Sequence, residues 1–600
     1  MRRFLPYILI AALVALLYAP AWDFAYLRLD DWGYTAGCDF VTGGLAWHNV
    51  SEALSRTRYG GIWMPFTFLS YMGDVTFFGG GWHVHHIVNV ALHAIAACLV
   101  FAFLCRILAL IKGSQLQTPL FSLTQSPLSS QSDPKNKTSR TWRTWREIYS
   151  GVLKLPQGEE SRACTWGAFI ATLVWALHPQ RVEAVAWIAS RKEELWTIWS
   201  LLGLMAWMRS RHVLGTLCCL LACLSKPTAV CFPLLAFLVD SVLLRRRKVA
   251  CYIGIGIISL LTGIVATVSQ THPQGMAQVA VTHVPFLERL GLCGANIAFS
   301  LAQTLVPWGV HYDYMDTASV PVSAGIAAML CGLAVFALLA IRLKGEKRRL
   351  FIFAAGFFAV SFLPVSGLFG AFGDASRADR FLYMPAVAFS ILLAAWAARM
   401  DLRGRILLAA VAGLYACAAY PAISSYRNDF TAFSRTLCFE PDHWRALQHV
   451  GSEYCARLGR MDEGLEMMRR SYALSPHDST AEVLAYALAC RGENADMDEV
   501  RALTVKIAAN PALDRRGMMA EALGIAAMAD GDWGLAERAF VASLAAPERF
   551  YSKTEATFRL AETFAHLGKK DAALRILRPL ALAEDRAIRL RAIDSLSRLK

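Results

Sequence analysis

Apolar runs near the length of a bilayer-crossing helix, about 20 residues, recur from the first residues to about position 422. They cover 4–22, 84–111, 163–178, 194–209, 213–224 with 228–244 across Lys226-Pro227, 249–269, 321–341, 350–366, 382–399 and 405–422. Basic clusters punctuate them: Arg2-Arg3, the 112–162 loop, Arg209 and Arg211, Arg245 to Lys248, Lys344 to Arg349, and Arg399 to Arg405. Residues 112–162 hold eight Lys/Arg and four acids; residues 22–82 hold three Arg and six acids. Basic loops stay cytoplasmic, so the first lies inside and the second outside. Placing every basic cluster inside predicts eleven spans, an uncleaved first span with its N-terminus inside, and a C-terminus outside. Segment 290–307 is then re-entrant or interfacial on the outer side. The 112–150 stretch reads as a flexible cytoplasmic linker.

From 423 the long runs stop and shorter amphipathic helical patterns begin. Pro441, Pro476, Pro511 and Pro547 are spaced 35, 35 and 36 residues apart, and Gly459, Gly492, Gly531 and Gly568 interleave with them. Each glycine opens a polar turn. The spacing is similar to a tetratricopeptide array, whose period is about 34 residues. The clearest unit is Gly451…Tyr454…Gly459…Gly464…Pro476. The expectation is an all-α protein in two parts: a polytopic membrane domain over 1–422, with a first outer loop at 22–83, and a repeat-like helical solenoid over 423–600. Such solenoids present a concave face to peptides or partners.

Composition agrees with a membrane protein. Hydrophobic residues make 56% of the chain and charged residues 18%, against about 25% charge in a soluble domain. The mean hydropathy is +0.39. Disorder, collagen and small disulfide scaffolds are excluded. The net charge of +14 reflects Lys/Arg in inner loops rather than nucleic-acid binding. The cysteines fall mostly in apolar runs and show no zinc spacing, so neither a disulfide framework nor a structural metal is expected.

Four polar clusters stand out where an apolar chain has no structural need for them. All four fall outside or near the outer face. Asp30-Asp31, just after the first span, can hold a divalent cation or supply a general base; a solvated acidic turn is the plain alternative. His86, Asn89 and His93 share one helical face and suit a metal, a sugar or a phosphate, or simply the interface. The stretch from His178 to Glu194 carries Glu183, Trp187 and Arg191 at i, i+4 and i+8, which predicts an amphipathic helix along the outer interface. In the stretch 372–385, Arg377 and Arg380 suit a phosphate at the lipid surface, which Lys226 could also serve; Arg–Asp pairing within the loop is the plain alternative.

In this order, residues 29–34, His86 to His93, His178-Pro179…Glu183-Ala184-Val185-Ala186-Trp187-Ile188…Arg191-Lys192, Ser225-Lys226-Pro227 and Asp379-Arg380-Phe381-Leu382-Tyr383-Met384-Pro385 resemble the tetratricopeptide-repeat transmembrane O-mannosyltransferases. More broadly, the chain resembles GT-C glycosyltransferases. The resemblance implies a GT-C fold, a polyprenyl-phosphate sugar donor presented outward and a hydroxyl acceptor, on protein Ser/Thr in the eukaryotic relatives. It implies an inverting single displacement with Asp30 as base and Asp31 as its neighbour. Arg380, with Arg377 or Lys226, would neutralise the departing phosphate. His86, Asn89, His93, Glu183, Arg191 and Tyr383 would orient sugar or acceptor. No cofactor is required; a divalent cation at Asp30 and Asp31 is possible. Met64 departs from the family, where an Arg is expected before Pro65.

The repeats would dock a protein or glycan acceptor. Two other readings use the same features: a transferase acting on a lipid or cell-envelope polysaccharide, and a non-catalytic membrane scaffold. Without a retention signal at Ser597 to Lys600, the expected site is a bacterial inner membrane with loop and repeats periplasmic, or the endoplasmic reticulum membrane in a eukaryote.

Overall fold

The structure, a computed structural model, describes residues 4–27, 30–55, 63–111, 159–246, 249–271, 284–315, 320–369, 377–511, 517–546 and 553–599. Arg2-Arg3, Leu29, residues 59–62, the 112–150 linker, Arg247-Lys248, residues 372–376 and Pro547 lie outside the described residues. Among those described, the chain is all-helical, without a strand. It divides into two compact units, Met1–Ala432 and Phe433–Lys600.

Among the described residues of the first unit, seven helices are long and apolar enough to cross a membrane: Leu5–Asp23, Trp82–Ile111, Pro227–Leu244, Val249–Ser269, Val322–Arg342, Gly345–Val365 and Leu402–Ser425. Glu159–Ala176, Arg191–Met208, His212–Ser225 and Val387–Ala397 stand where the other apolar runs predict helices. Trp82–Ile111, at thirty residues, is the longest. At 1.5 Å per residue it measures about 45 Å, more than a hydrocarbon core of about 30 Å. Most of its side chains are buried, and it packs against Leu5–Tyr18, Glu159–Ala176 and Arg191–Met208. Val322–Arg342 is the opposite case. Leu330, Leu333, Val335, Leu338 and Ile341 stay exposed, an apolar surface that is stable against lipid and costly against water.

Residues 286–305 form one continuous helix, Phe286–Leu305, outside the seven. It packs backbone to backbone on Val322–Arg342. A Cβ at Gly325 would overlap the Gly291 carbonyl oxygen, and one at Gly294 would overlap the Gly325 carbonyl oxygen. Only glycine permits this approach, the small-residue packing common where helices meet in lipid.

At the basic end of the Arg191–Met208 helix, Asp240 accepts hydrogen bonds from Trp207 Nε1 (2.9 Å), Tyr252 OH (2.6 Å) and Arg246 Nε (2.7 Å). One carboxylate thus ties three elements together beside Arg245 and Arg246.

In the second unit, helices pack in consecutive pairs: Trp444–Ala456 with Met461–Leu474, Asp478–Arg491 with Asn494–Ala508, Met518–Ala529 with Trp533–Ala545, and Thr554–His566 with Lys570–Leu580. Arg586–Arg598 follows. Gly459, Gly492, Gly531 and Gly568 sit between the partners at φ of 64°, 77°, 75° and 72°. That conformation is cheap only for glycine, which explains the ladder in the sequence. Ion pairs recur between neighbouring pairs, as in Arg491–Asp462, Arg469–Glu499 and Arg501–Asp530. Each is largely exposed and adds little alone; the apolar layer of Leu484, Leu488, Leu523 and Phe540 carries the packing.

Gly325→Val should lower stability by about 1–3 kcal/mol through overpacking, read as a lower melting temperature of the detergent-purified protein. Unchanged melting would contradict the close helix contact.

Candidate active site

After the first span the chain runs extended from Phe24 to Leu27, and Asp30 caps the single turn Asp31–Tyr34. The two adjacent acids have different surroundings. Asp31 is fully buried. Its Oδ2 accepts the Leu27 N–H at 3.0 Å and its Oδ1 the Ala189 N–H at 2.7 Å. Burial pushes its carboxyl up to about 8, against the pull of those two amides. Asp30 is half-buried. A cation shared by the pair would displace Asp31's backbone bonds, and among the described residues no three His, Cys, Asp or Glu gather to hold a metal.

Residues 178–192 do not form the expected interfacial helix. They break into three short pieces, Pro179–Arg181, Val182–Ala186 and Ile188–Ser190, with Trp187 extended between the last two at φ −91° and ψ 115°. Every residue from 178 to 192 is buried. The segment is a crosspiece through the core, so the i, i+4, i+8 register of Glu183, Trp187 and Arg191 does not make one face.

Arg191 anchors the crosspiece. Its Nη1 lies 2.6 Å from Asp74 Oδ2, its Nε donates to Asn89 Oδ1 at 2.7 Å, and its Nη2 donates to the His85 carbonyl at 2.9 Å. The guanidinium stacks 4.3 Å from the centre of the Tyr71 ring. Asp74 also meets His85 Nδ1 at 2.7 Å, and Tyr71 OH donates to the Ile188 carbonyl at 2.7 Å. Three glycines, Gly79 to Gly81, all at positive φ, turn the chain so that Asp74 and His85 meet. Arg191 and Asn89, expected to orient sugar, are therefore engaged in holding the fold.

His93 and Tyr383 are likewise engaged with each other. His93 Nδ1 lies 2.7 Å from Tyr383 OH, and its Nε2 lies 3.0 Å from the Ala176 carbonyl. His86 packs edge-on against Phe24.

A separate group gathers the charges. Glu183 pairs with Arg380 Nη1 and accepts the Arg380 backbone N–H at 2.8 Å. Glu193 pairs with Lys226 and accepts Trp196 Nε1 at 2.9 Å. Arg380 and Lys226 flank the Phe381 ring at 5.0 and 5.4 Å. Lys192 lies 5.1 Å over the Tyr34 ring. Burial lowers Lys192 to about 8, while Asp30 draws it back up and Arg380 and Lys226 press it further down. The three cations and three carboxylates come from five elements. Arg377 is placed elsewhere: its Nη2 donates to the Met315 carbonyl at 3.0 Å and its guanidinium covers Phe299 at 4.7 Å.

The structure brings Glu183 and Arg380 together and sets Lys226 against the same Phe381 ring as Arg380, while Asp30 stands at the head of the turn after the first span. It adds Lys192 and Glu193, which the sequence reading assigned no role, and the supporting Asp74, His85 and Tyr71. Asp74 carried a usable signal, a lone acid in the apolar helix Pro65–Phe78. Nothing local marks Tyr71 or Glu193.

Arg191→Met or Asp74→Asn should each destabilise the fold by about 3–5 kcal/mol, because the partner is left charged and buried. Thermal melting of the purified variants checks this; wild-type melting in both would contradict the anchor.

No family model matches the sequence. Over 237 residues the chain is 26% identical to a protein O-mannosyl-transferase of Caenorhabditis elegans. The match takes in 38% of this chain and 34% of the relative, so the chain spans about a third of the length of the curated relative it matches. Part of this membrane-type helical chain is thus distantly similar to a glycosyltransferase.

Proposed function

We propose that the protein is an integral-membrane glycosyltransferase that moves a sugar from a polyprenyl-phosphate donor to a hydroxyl, on protein Ser/Thr. The observation that carries this reading is the pairing of Arg380 with Glu183 and of Lys226 with Glu193, both cations lying against the Phe381 ring, in the same unit as the half-buried Asp30. Displacing a phosphate from an anomeric carbon needs a base for the attacking hydroxyl and positive charge for the leaving oxygen. Asp30 serves as the base. Arg380, Lys226 and Lys192 receive the phosphate charge as it develops. Glu183 and Glu193 hold two of these cations in place, so little reorganisation accompanies the reaction. The displacement inverts the anomeric centre.

The 26% identity to a protein O-mannosyl-transferase supports both the reaction class and a hexose donor. On this reading the membrane unit has a GT-C arrangement with eleven crossings, Asp30 faces the periplasm or lumen, and the tetratricopeptide-like second unit recognises the acceptor. Asp31 is a positioning residue that holds Leu27 to Ala189 and so fixes the turn carrying Asp30.

The test is sugar release from a panel of polyprenyl-phosphate sugars in nanodiscs, with Ser/Thr peptides as acceptors. Asp30→Asn should lower turnover by about 10²–10⁴-fold with melting and donor binding unchanged. Full turnover in the variant would remove Asp30 as the base.

A further inference from the structure

A groove of about 450 Å³, within the size range of ligand sites, runs along the membrane unit, lined by none of the residues of the charged group. It lies between Glu159–Ala176, Val387–Ala397 and Leu402–Ser425, with the end of Phe286–Leu305 at one extremity. Its lining follows the Val387–Ala397 helix from Ala386 to Trp396, about 15 Å at 1.5 Å per residue. One end is polar, with His178, Gln180, Arg181 and Thr304; the rest is apolar down to Leu408 and the exposed Trp396.

The polar end has unspent donors. Arg181 is 1% exposed and Gln180 0%. Arg181 Nη1 donates to the Leu382 carbonyl at 2.6 Å and Nη2 to Gln180 Oε1 at 3.2 Å. Gln180 Oε1 also accepts from Thr304 Oγ1. That leaves Arg181 Nε and Gln180 Nε2 buried without a hydrogen-bond partner. Among the described residues no carboxylate pairs with Arg181; the Trp175 and Tyr383 rings flank it at 5.7 and 5.8 Å. A buried cation with a free donor, beside a second free donor, calls for an anionic acceptor. The long apolar floor below calls for a hydrocarbon chain. A diester phosphate with an acyl chain and no cationic headgroup to offset its charge supplies both.

We propose that this groove binds one anionic phospholipid, its phosphate at Gln180 and Arg181 and an acyl chain along Val387–Ala397. None of Asp30, Lys192, Lys226 or Arg380 lines it, so the site is independent of the transferase reading. The bound lipid satisfies the two donors and fills the gap behind the crosspiece that carries Glu183.

Native mass spectrometry of the delipidated full chain tests this with four probes: phosphatidylglycerol, phosphatidylcholine, a polyprenyl phosphate and inorganic phosphate. One phosphatidylglycerol should be retained, with phosphatidylcholine held more weakly and inorganic phosphate not at all. Val411→Trp, which fills the apolar part, and Gln180→Leu, which removes a donor, should each weaken retention about tenfold or more. Val411→Trp keeps the test open if Gln180→Leu does not fold. No retained lipid, retention indifferent to both variants, or equal retention of phosphatidylcholine would overturn the proposal. So would displacement by the polyprenyl phosphate, which would give the groove to the donor instead.

Discussion

The candidate site depends on one buried ion pair, Arg191 with Asp74. A guanidinium taken out of water costs several kcal/mol unless its charge and its donors are met. Here Asp74, Asn89 and the His85 carbonyl meet them, and the Tyr71 ring covers the flat face. Because these partners come from Pro65–Phe78 and Trp82–Ile111, the pair welds two helices to the start of a third, Arg191–Met208. The 178–190 segment has then only one route, through the interior. Polar networks of this kind are unforgiving when one member is lost, which makes the arrangement specific rather than merely stable.

The chemistry follows from that route. A buried crosspiece delivers Glu183 to one side of Trp187 and Lys192-Glu193 to the other, so two carboxylates from one segment reach Arg380 and Lys226. Its Ala189 N–H meets Asp31, which holds the turn of the first loop and leaves Asp30 half-buried among the charges. Two neighbouring aspartates thereby acquire different surroundings, Asp31 fully buried and held by two backbone amides, Asp30 half-buried; environment regularly divides paired acids in this way.

Much of this was legible in the sequence. The helix Val322–Arg342 is an almost uninterrupted apolar run, Trp82–Ile111 is apolar beyond its polar N-terminal half, and the tail's turns are marked by glycines whose positive φ no other residue adopts cheaply. The crosspiece was misread for a physical reason. Charges at Glu183 and Arg191 have the spacing of a surface helix, and only the extended Trp187 and the distant partners Asp74 and Arg380 show that they are buried. The split between Asp30 and Asp31 was equally hidden, since Asp31's partner Ala189 lies 158 residues away. Arg377 and Arg380 looked alike at three residues' separation, yet one contacts Met315 and Phe299 while the other reaches Glu183.

On the proposed reading, Arg380, Lys226 and Lys192 receive the phosphate of a polyprenyl-linked sugar and Asp30 acts as the base. An experimental structure of the protein in nanodiscs with a non-hydrolysable polyprenyl-phosphate sugar tests it most directly. The phosphate is expected within hydrogen-bond reach of Arg380, Lys226 or Lys192, with the anomeric carbon turned toward Asp30. A donor phosphate seated anywhere else, with these three cations still paired only to Glu183, Glu193 and the Tyr34 ring, would contradict it.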